Sequence, residues 1–182
     1  LAGRYRIERL IGSGGMGVVF AAKHLDLQEL RAIKLMHPGE DQNARSLERF
    51  LREPRAAARI RSEHVAKIYD VGKLDSGAPF IVMEYLEGID LRALLARRGV
   101  ISAEEAALYI AQACDALAEA HALGIVHRDL KPANLFLTTR ANASPCVKVL
   151  DSGISKLQAR GDAAAGDDLT QTNDVVGSPN YM

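Results

Sequence analysis

The 182-residue sequence has no excess of either charge: 23 Lys and Arg balance 23 Asp and Glu. Without a net field it does not recruit nucleic acid or an anionic membrane through bulk electrostatics, so any phosphate recognition must be local. Cysteine is scarce, with only Cys114 and Cys146. Two are too few for a disulfide framework and lack zinc-ligand spacing, which fits a reducing cytosol and assigns both to the core as small residues. No apolar run is long enough to span a bilayer, and no secretory signal pattern is present. The first residue is Leu rather than Met, so the chain is read as beginning inside a longer gene product. What the composition supplies is 48% hydrophobic residues, enough for a sizeable core in a soluble globular domain.

The most informative stretch is His127-Arg128-Asp129-Leu130-Lys131-Pro132-Ala133-Asn134, flanked by the apolar Gly124-Ile125-Val126 and Leu135-Phe136-Leu137. The pattern predicts a polar loop held between two buried segments. Asp129 can take a proton from a hydroxyl nucleophile, Lys131 can neutralise charge on a group in transfer, and Asn134 offers an oxygen to a hard cation such as Mg²⁺. Pro132 stiffens the turn between them.

Upstream, period-2 alternation predicts strands at 5–11 and 18–23, joined by the turn Gly12-Ser13-Gly14-Gly15-Met16-Gly17. A dinucleotide fold needs a helix directly after such a turn, and a Walker loop needs Gly-Lys-Ser/Thr at its end. Neither follows here, which leaves a flexible hairpin tip or a flap whose backbone amides cover phosphates. A third strand at 30–36 sets Lys34 among apolar neighbours, where it either snorkels from an edge or needs an anionic partner. Positions 43–60 read as helical, with Pro54 forcing a kink or opening a second helical piece at a cost of about 3 kcal/mol inside a continuous helix. Strands at 65–71 and 79–84, separated by Asp75-Ser76-Gly77, complete a five-stranded antiparallel sheet. Tyr85-Leu86-Glu87-Gly88 breaks the pattern and reads as a hinge. Beyond it come a short helix at 91–98 closed by Gly99 and a long one opened by the capping box Ser102-Ala103-Glu104-Glu105. Ala106, Ile110, Ala113, Leu117 and Ala120 form the long helix's expected buried stripe, with Gly124 after its end and His121 as a helix-end residue. Cys146-Val147-Lys148-Val149-Leu150 reads as a buried strand ending in Asp151-Ser152-Gly153. The Gly-, Ala- and Asp-rich stretch at 158–174 has no periodicity and reads as a loop.

The stretch from His127 to Asn134 resembles the catalytic loop of protein kinases, H-R-D-L-x-x-x-N, with every fixed position filled. From Tyr5 to Met182 the motifs stand in kinase order, and Gly-Ser-Gly-Gly-Met-Gly, Ala133 and Thr170-Gln171-Thr172 look most like the bacterial branch of the eukaryotic-type (Hanks-type) serine/threonine kinases. The resemblance implies an α+β two-lobed fold: an N-lobe at 1–83, a hinge at 84–88, and an incomplete C-lobe at 89–182 that stops before the Ala-Pro-Glu element. It implies ATP and Mg²⁺ as cofactors and serine or threonine hydroxyls of proteins as acceptors, including a second copy of the kinase, with no nucleic-acid partner. It also implies a cytoplasmic domain, with room for a membrane anchor beyond Met182.

By the same resemblance, Lys34 holds the α- and β-phosphates and pairs with Glu53. Gly12, Ser13, Gly14, Gly15, Met16 and Gly17 cover the phosphates. Ile11, Val19, Ala32, Met83 and Phe136 enclose the base, the backbone of Glu84 and Leu86 hydrogen-bonds it, and Asp90 reaches the ribose. Asn134 and Asp151 hold Mg²⁺, Lys131 contacts the γ-phosphate, and Asp129 is the base. Thr170 and Thr172 are the expected phosphorylation sites, with Arg128, Lys156 and Arg49 as their phosphate pocket. Ser152, where kinases carry Phe, predicts thin packing beneath the helix of Glu53. Together with Pro54 it motivates the alternative of a nucleotide-binding pseudokinase or interaction module. A kinase of small molecules is disfavoured by Lys131 and by Gly177-Ser178-Pro179-Asn180-Tyr181-Met182. The truncated chain by itself is expected to be inactive.

Overall fold

The computed structural model of the chain describes residues 1–14, 17–36 and 54–150. Five strands form one antiparallel sheet: β1 (Tyr5–Gly14), β2 (Gly17–His24), β3 (Leu30–Met36), β4 (Ile68–Lys73) and β5 (Pro79–Glu84), in the order β1-β2-β3-β5-β4. Its apolar cluster comprises Tyr5, Ala22, Ile33, Phe80 and Val82, all at most 5% exposed. The register explains how β3 serves two purposes. Ile33 pairs with Phe20 and Val82 and joins that cluster, while Ala32 and Lys34, offset by one residue, alternate to the other face. Gly17 is required where β2 meets β3: its φ is +149°, and a Cβ there would lie 2.0 Å from the Leu35 carbonyl oxygen.

A second, three-stranded sheet follows the connection expected to be a hinge: β6 (Ile89–Asp90), β7 (Leu135–Thr139) and β8 (Pro145–Val149). Helices α1 (Leu91–Arg98) and α2 (Ala103–Ala122) accompany it. Asp90 caps α1 by accepting a hydrogen bond from the Ala93 N–H at 2.8 Å, and Gly99 closes the helix with φ +77°. The capping box of α2 is complete. The Ser102 hydroxyl accepts from the Glu105 N–H, and the Glu105 carboxylate accepts from the Ser102 N–H. Arg98 adds two 2.9 Å bonds to that carboxylate. Arg98 and the capping bond hold the Glu105 carboxyl below its ordinary range. Its contribution is therefore present above the usual carboxylate pKa and is lost as pH falls through the lowered one. Ser102→Ala should lower stability by about 1 kcal/mol, read as a shift of the denaturant midpoint at unchanged slope.

Several expectations are corrected. β4 begins at Ile68 rather than 65, because Val65 makes a parallel bridge to Val149 of the second sheet instead. The Ala66 N–H donates to the Val149 carbonyl and the Val149 N–H to the His64 carbonyl, so the apolar character of Val65 reports burial between sheets. The buried stripe of α2 runs through Tyr109, Gln112, Ala113, Ala116 and Ala120, and Ile110 is 53% exposed. Gln112 displaces the expected register because its amide bonds β8 from both ends: Nε2 donates to the Pro145 carbonyl, and Oε1 accepts from the Val147 N–H at 2.7 Å. Cys114, on the helix face away from that stripe, is exposed, and only Cys146 is a core residue. The flanks of the loop at 127–134 are unequally buried: Leu135 is 4% exposed, whereas Val126 is 48% exposed and Ile125 is only partly buried against the core. Pro54 is fully buried and stands in a helical turn at 54–57, its carbonyl accepting from the Ala58 N–H. The rest of the expected helix, Arg49 and Glu53 included, lies outside the described residues, as do Gly15, Met16, Asp151, Ser152, Lys156, Thr170 and Thr172.

Candidate active site

Between the two sheets lies a cavity of about 160 Å³ with nearly apolar walls. The first sheet supplies Ile11, Val19, Ala32, Lys34, Ile68 and Met83. Phe136 of β7, Val149 of β8 and Leu150 line it from the second, and Glu84 and Leu86 stand at the hinge. Strand pairing fixes the first wall, since Val19 is opposite Lys34 and Ala32 opposite Met83. Lys34 is 6% exposed, which places an ammonium group at an otherwise apolar wall. A charge there is tolerable only with an ionic or hydrogen-bonding partner. All seven residues expected around the base line this space, together with Lys34. Asp90 does not line it, and one of its carboxylate oxygens is engaged in capping α1.

The loop at 127–134 is held by a chain of hydrogen bonds. Arg128 adopts φ +61°, a left-handed conformation that costs a non-glycine residue of order 1–3 kcal/mol and persists only when its neighbours enforce it. His127, 5% exposed, is one enforcer. Its Nδ1 accepts from the Asp129 N–H at 3.3 Å, which leaves the proton on Nε2 to donate to the Leu150 carbonyl at 2.9 Å. Asn134 is the other, its Nδ2 donating to the Asp129 carbonyl at 2.7 Å. That bond turns the amide nitrogen toward the loop and leaves the amide oxygen, a hard donor, for other use. The Asn134 carbonyl accepts from the Leu150 N–H at 2.9 Å, so the loop is fastened on both sides to the residue preceding Asp151. Pro132 opens a 3-10 turn that brings Asn134 back toward Asp129. The Asp129 carboxylate, about a quarter exposed, sits 2.8 Å from Lys131 Nζ. The arrangement presents a partly accessible carboxylate beside a cation, with the intervening backbone held by hydrogen bonds.

Outside this loop, sequence reading missed several residues. Val65, Ala66, Ile68, Val149 and Leu150 complete the cavity. His64, 7% exposed, bonds the Val147 carbonyl through Nδ1 at 2.9 Å. Beside it, Arg140 makes a bidentate pair with Glu63 and holds that carboxyl below its ordinary range. Burial pushes the neighbouring Cys146 thiol upward, so it stays protonated as a core group. Lys148 had a usable signal. A lysine inside a strand otherwise read as buried requires an anion, the same argument that singles out Lys34.

The model of the protein kinase domain matches residues 5–182. The serine/threonine-protein kinase pkn3 of Myxococcus xanthus is 39% identical over 182 residues, covering all of this chain and 33% of that protein. PknB of Mycobacterium tuberculosis is 36% identical over 185 residues, again over the whole chain and 28% of its own length. The chain thus spans about a third or less of these curated relatives. Among solved structures, the Mycobacterium tuberculosis PknI kinase domain superposes with a TM-score of 0.71 at 31% identity, covering 83% of this chain and 59% of that one. The two-lobed kinase architecture accounts for the five-stranded sheet, the hinge and the loop facing one cleft, and the chain belongs to the protein kinase domain family, alongside bacterial serine/threonine kinases.

Proposed function

We propose that this chain is the nucleotide-binding and catalytic part of an ATP- and Mg²⁺-dependent serine/threonine protein kinase that acts on proteins, a second copy of itself included. One observation carries the reading: an apolar cavity with Lys34 in its wall lies against a loop in which the Asp129 carboxylate pairs with Lys131 and the Asn134 amide bonds the Asp129 carbonyl. An adenine ring fits between Ala32 and Val19 on one side and Phe136 on the other. The backbone of Glu84 and Leu86 at the rim offers it hydrogen bonds, and Asp90 is the candidate ribose contact. Strands β1 and β2 carry Gly12, Ser13, Gly14 and Gly17 over the phosphate end, with Gly15 and Met16 between.

Phosphoryl transfer asks mainly for positioning and neutralisation of charge spread over the moving group. Lys34 orients the α- and β-phosphates, with Glu53 as its proposed partner. Lys131 leaves Asp129 to meet the γ-phosphate. Asp129 then aligns the acceptor hydroxyl and takes its proton. Asn134 and Asp151 would hold Mg²⁺, which neutralises phosphate charge when bound. The donor set suits it, being oxygen only. Thr170 and Thr172 are proposed phosphate acceptors, with Arg128 and Lys156 as the cations that receive the product.

The test is acceptor choice. The full-length protein with ATP and Mg²⁺ should phosphorylate a general protein substrate, lose that activity with EDTA, and leave small hydroxyl compounds such as choline or an aminoglycoside unmodified. Efficient transfer to a small molecule, or nucleotide binding with no transfer at all, would overturn it.

A further inference from the structure

The geometry points to Lys148 and Glu84 as a pair of positioning residues that set nucleotide affinity by fixing the hinge strand against β8; this rests on the kinase reading above. Lys148 is 7% exposed, and its Nζ lies 2.9 Å from both carboxylate oxygens of Glu84. Glu84 is the last residue of β5 in the first sheet, and Lys148 belongs to β8 in the second. The same carboxylate accepts from the Lys67 N–H at 3.1 Å, while the Glu84 N–H donates to the Lys67 carbonyl at 2.8 Å. Three segments therefore converge on one side chain: the end of β5, the approach to β4, and β8. Arg31, its cross-strand neighbour on β3, is occupied by Glu29 and the Tyr69 ring.

Lys148 is buried and Glu84 half-buried, and an ion pair so far removed from water contributes little net stability against its desolvation cost but is demanding about geometry, and losing Glu84's charge leaves the buried Lys148 uncompensated. Here the geometry concerns the nucleotide. Glu84 lines the cavity between the sheets and also a second cavity of about 670 Å³ behind it, which Lys148 lines as well. Glu84, with Leu86, is common to both linings, so the pair sits at the boundary between the two cavities. On one side of it, Glu84 leads into the hinge whose backbone faces the proposed base. On the other, Lys148 precedes Val149 and Leu150 in the cavity wall. Without the pair, the hinge edge and β8 separate and the apolar slot loses its width. The exposed tie between Arg140 and Glu63 is screened by solvent and cannot replace it.

The experiment is a double-mutant cycle in the full-length protein, with K148M, E84Q and the double variant, followed by ATP KM, kcat and binding of a fluorescent ADP analogue. Each single variant should raise ATP KM and the analogue's Kd by about tenfold with kcat nearly retained, the signature of lost uniform binding. The double should be no weaker than K148M alone, because both remove one interaction. R98M, which breaks an exposed pair remote from the cavity, should match wild type. E84Q keeps a neutral acceptor in place and carries the comparison if K148M does not fold. Unchanged KM in the single variants, or effects that multiply in the double, would overturn the inference. A wild-type protein that neither binds nor turns over ATP would overturn the kinase reading itself.

Discussion

Asp129→Asn should reduce phosphoryl transfer by about 10²- to 10⁴-fold, the usual contribution of a positioned general base, with little change in ATP affinity. The substitution keeps the shape of the side chain and removes its charge. The bond that holds the loop, from Asn134 Nδ2 at 2.7 Å, goes to the backbone carbonyl of Asp129 and survives the change. So does the bond from the Asp129 N–H to His127. What is lost is the acceptor for the hydroxyl proton and the ion pair with Lys131. Single-turnover transfer at saturating ATP, together with nucleotide binding, separates these effects. Equal transfer by the variant and the parent would remove Asp129 from the role.

Gly88→Ala should be the most damaging small substitution in the hinge. Gly88 has φ +154°, and a Cβ there would stand 2.0 Å from the Leu137 carbonyl oxygen and 3.1 Å from the Phe136 ring. The neighbouring Glu87 carbonyl accepts from the Thr138 hydroxyl at 2.7 Å, so the hinge cannot simply swing away from β7. The backbone conformation alone costs an alanine of order 1–3 kcal/mol, and the clash adds to it, against a typical margin of about 5–15 kcal/mol. Relief requires the β7 backbone at Leu137 and the hinge to move apart, and the neighbouring Phe136 lines the cavity proposed for the nucleotide. Denaturant unfolding should show a clearly lowered midpoint and nucleotide binding should weaken. A wild-type midpoint would mean that the hinge accommodates a side chain with no cost.

The polar loop at 127–134, the hairpin of β1 and β2 and the strands at 30–36 and 79–84 were legible in the sequence because their residue types carry the polarity or the alternation directly. The long helix was legible in its start and end, through the capping box at Ser102 and the glycine at Gly124, but not in its buried face. Gln112 is inside because it satisfies two backbone groups of β8, a preference that hydrophobicity cannot express. Val65 misled for the converse reason. It is apolar and buried like a strand residue, yet its backbone pairs with Val149 across the two sheets, a contact that only the assembled fold creates. The cavity was half legible. The family resemblance gave Ile11, Val19, Ala32, Lys34, Met83, Glu84, Leu86 and Phe136, whereas Val149 and Leu150 enter it because the bonds of His127 and Asn134 to Leu150 draw that segment under the loop.

The most direct test of the central claim is the identity of the residue that receives the phosphate. The full-length protein should be incubated with Mg²⁺ and ATP labelled at the γ-phosphate, alone and with an added protein substrate, and the labelled protein hydrolysed to its phosphoamino acids. The account predicts phosphothreonine and phosphoserine, dependent on Asp129, with peptides containing Thr170 or Thr172 among the labelled products of the protein alone. Label confined to inorganic phosphate, or no release from ATP at all in the presence of bound nucleotide, would contradict it.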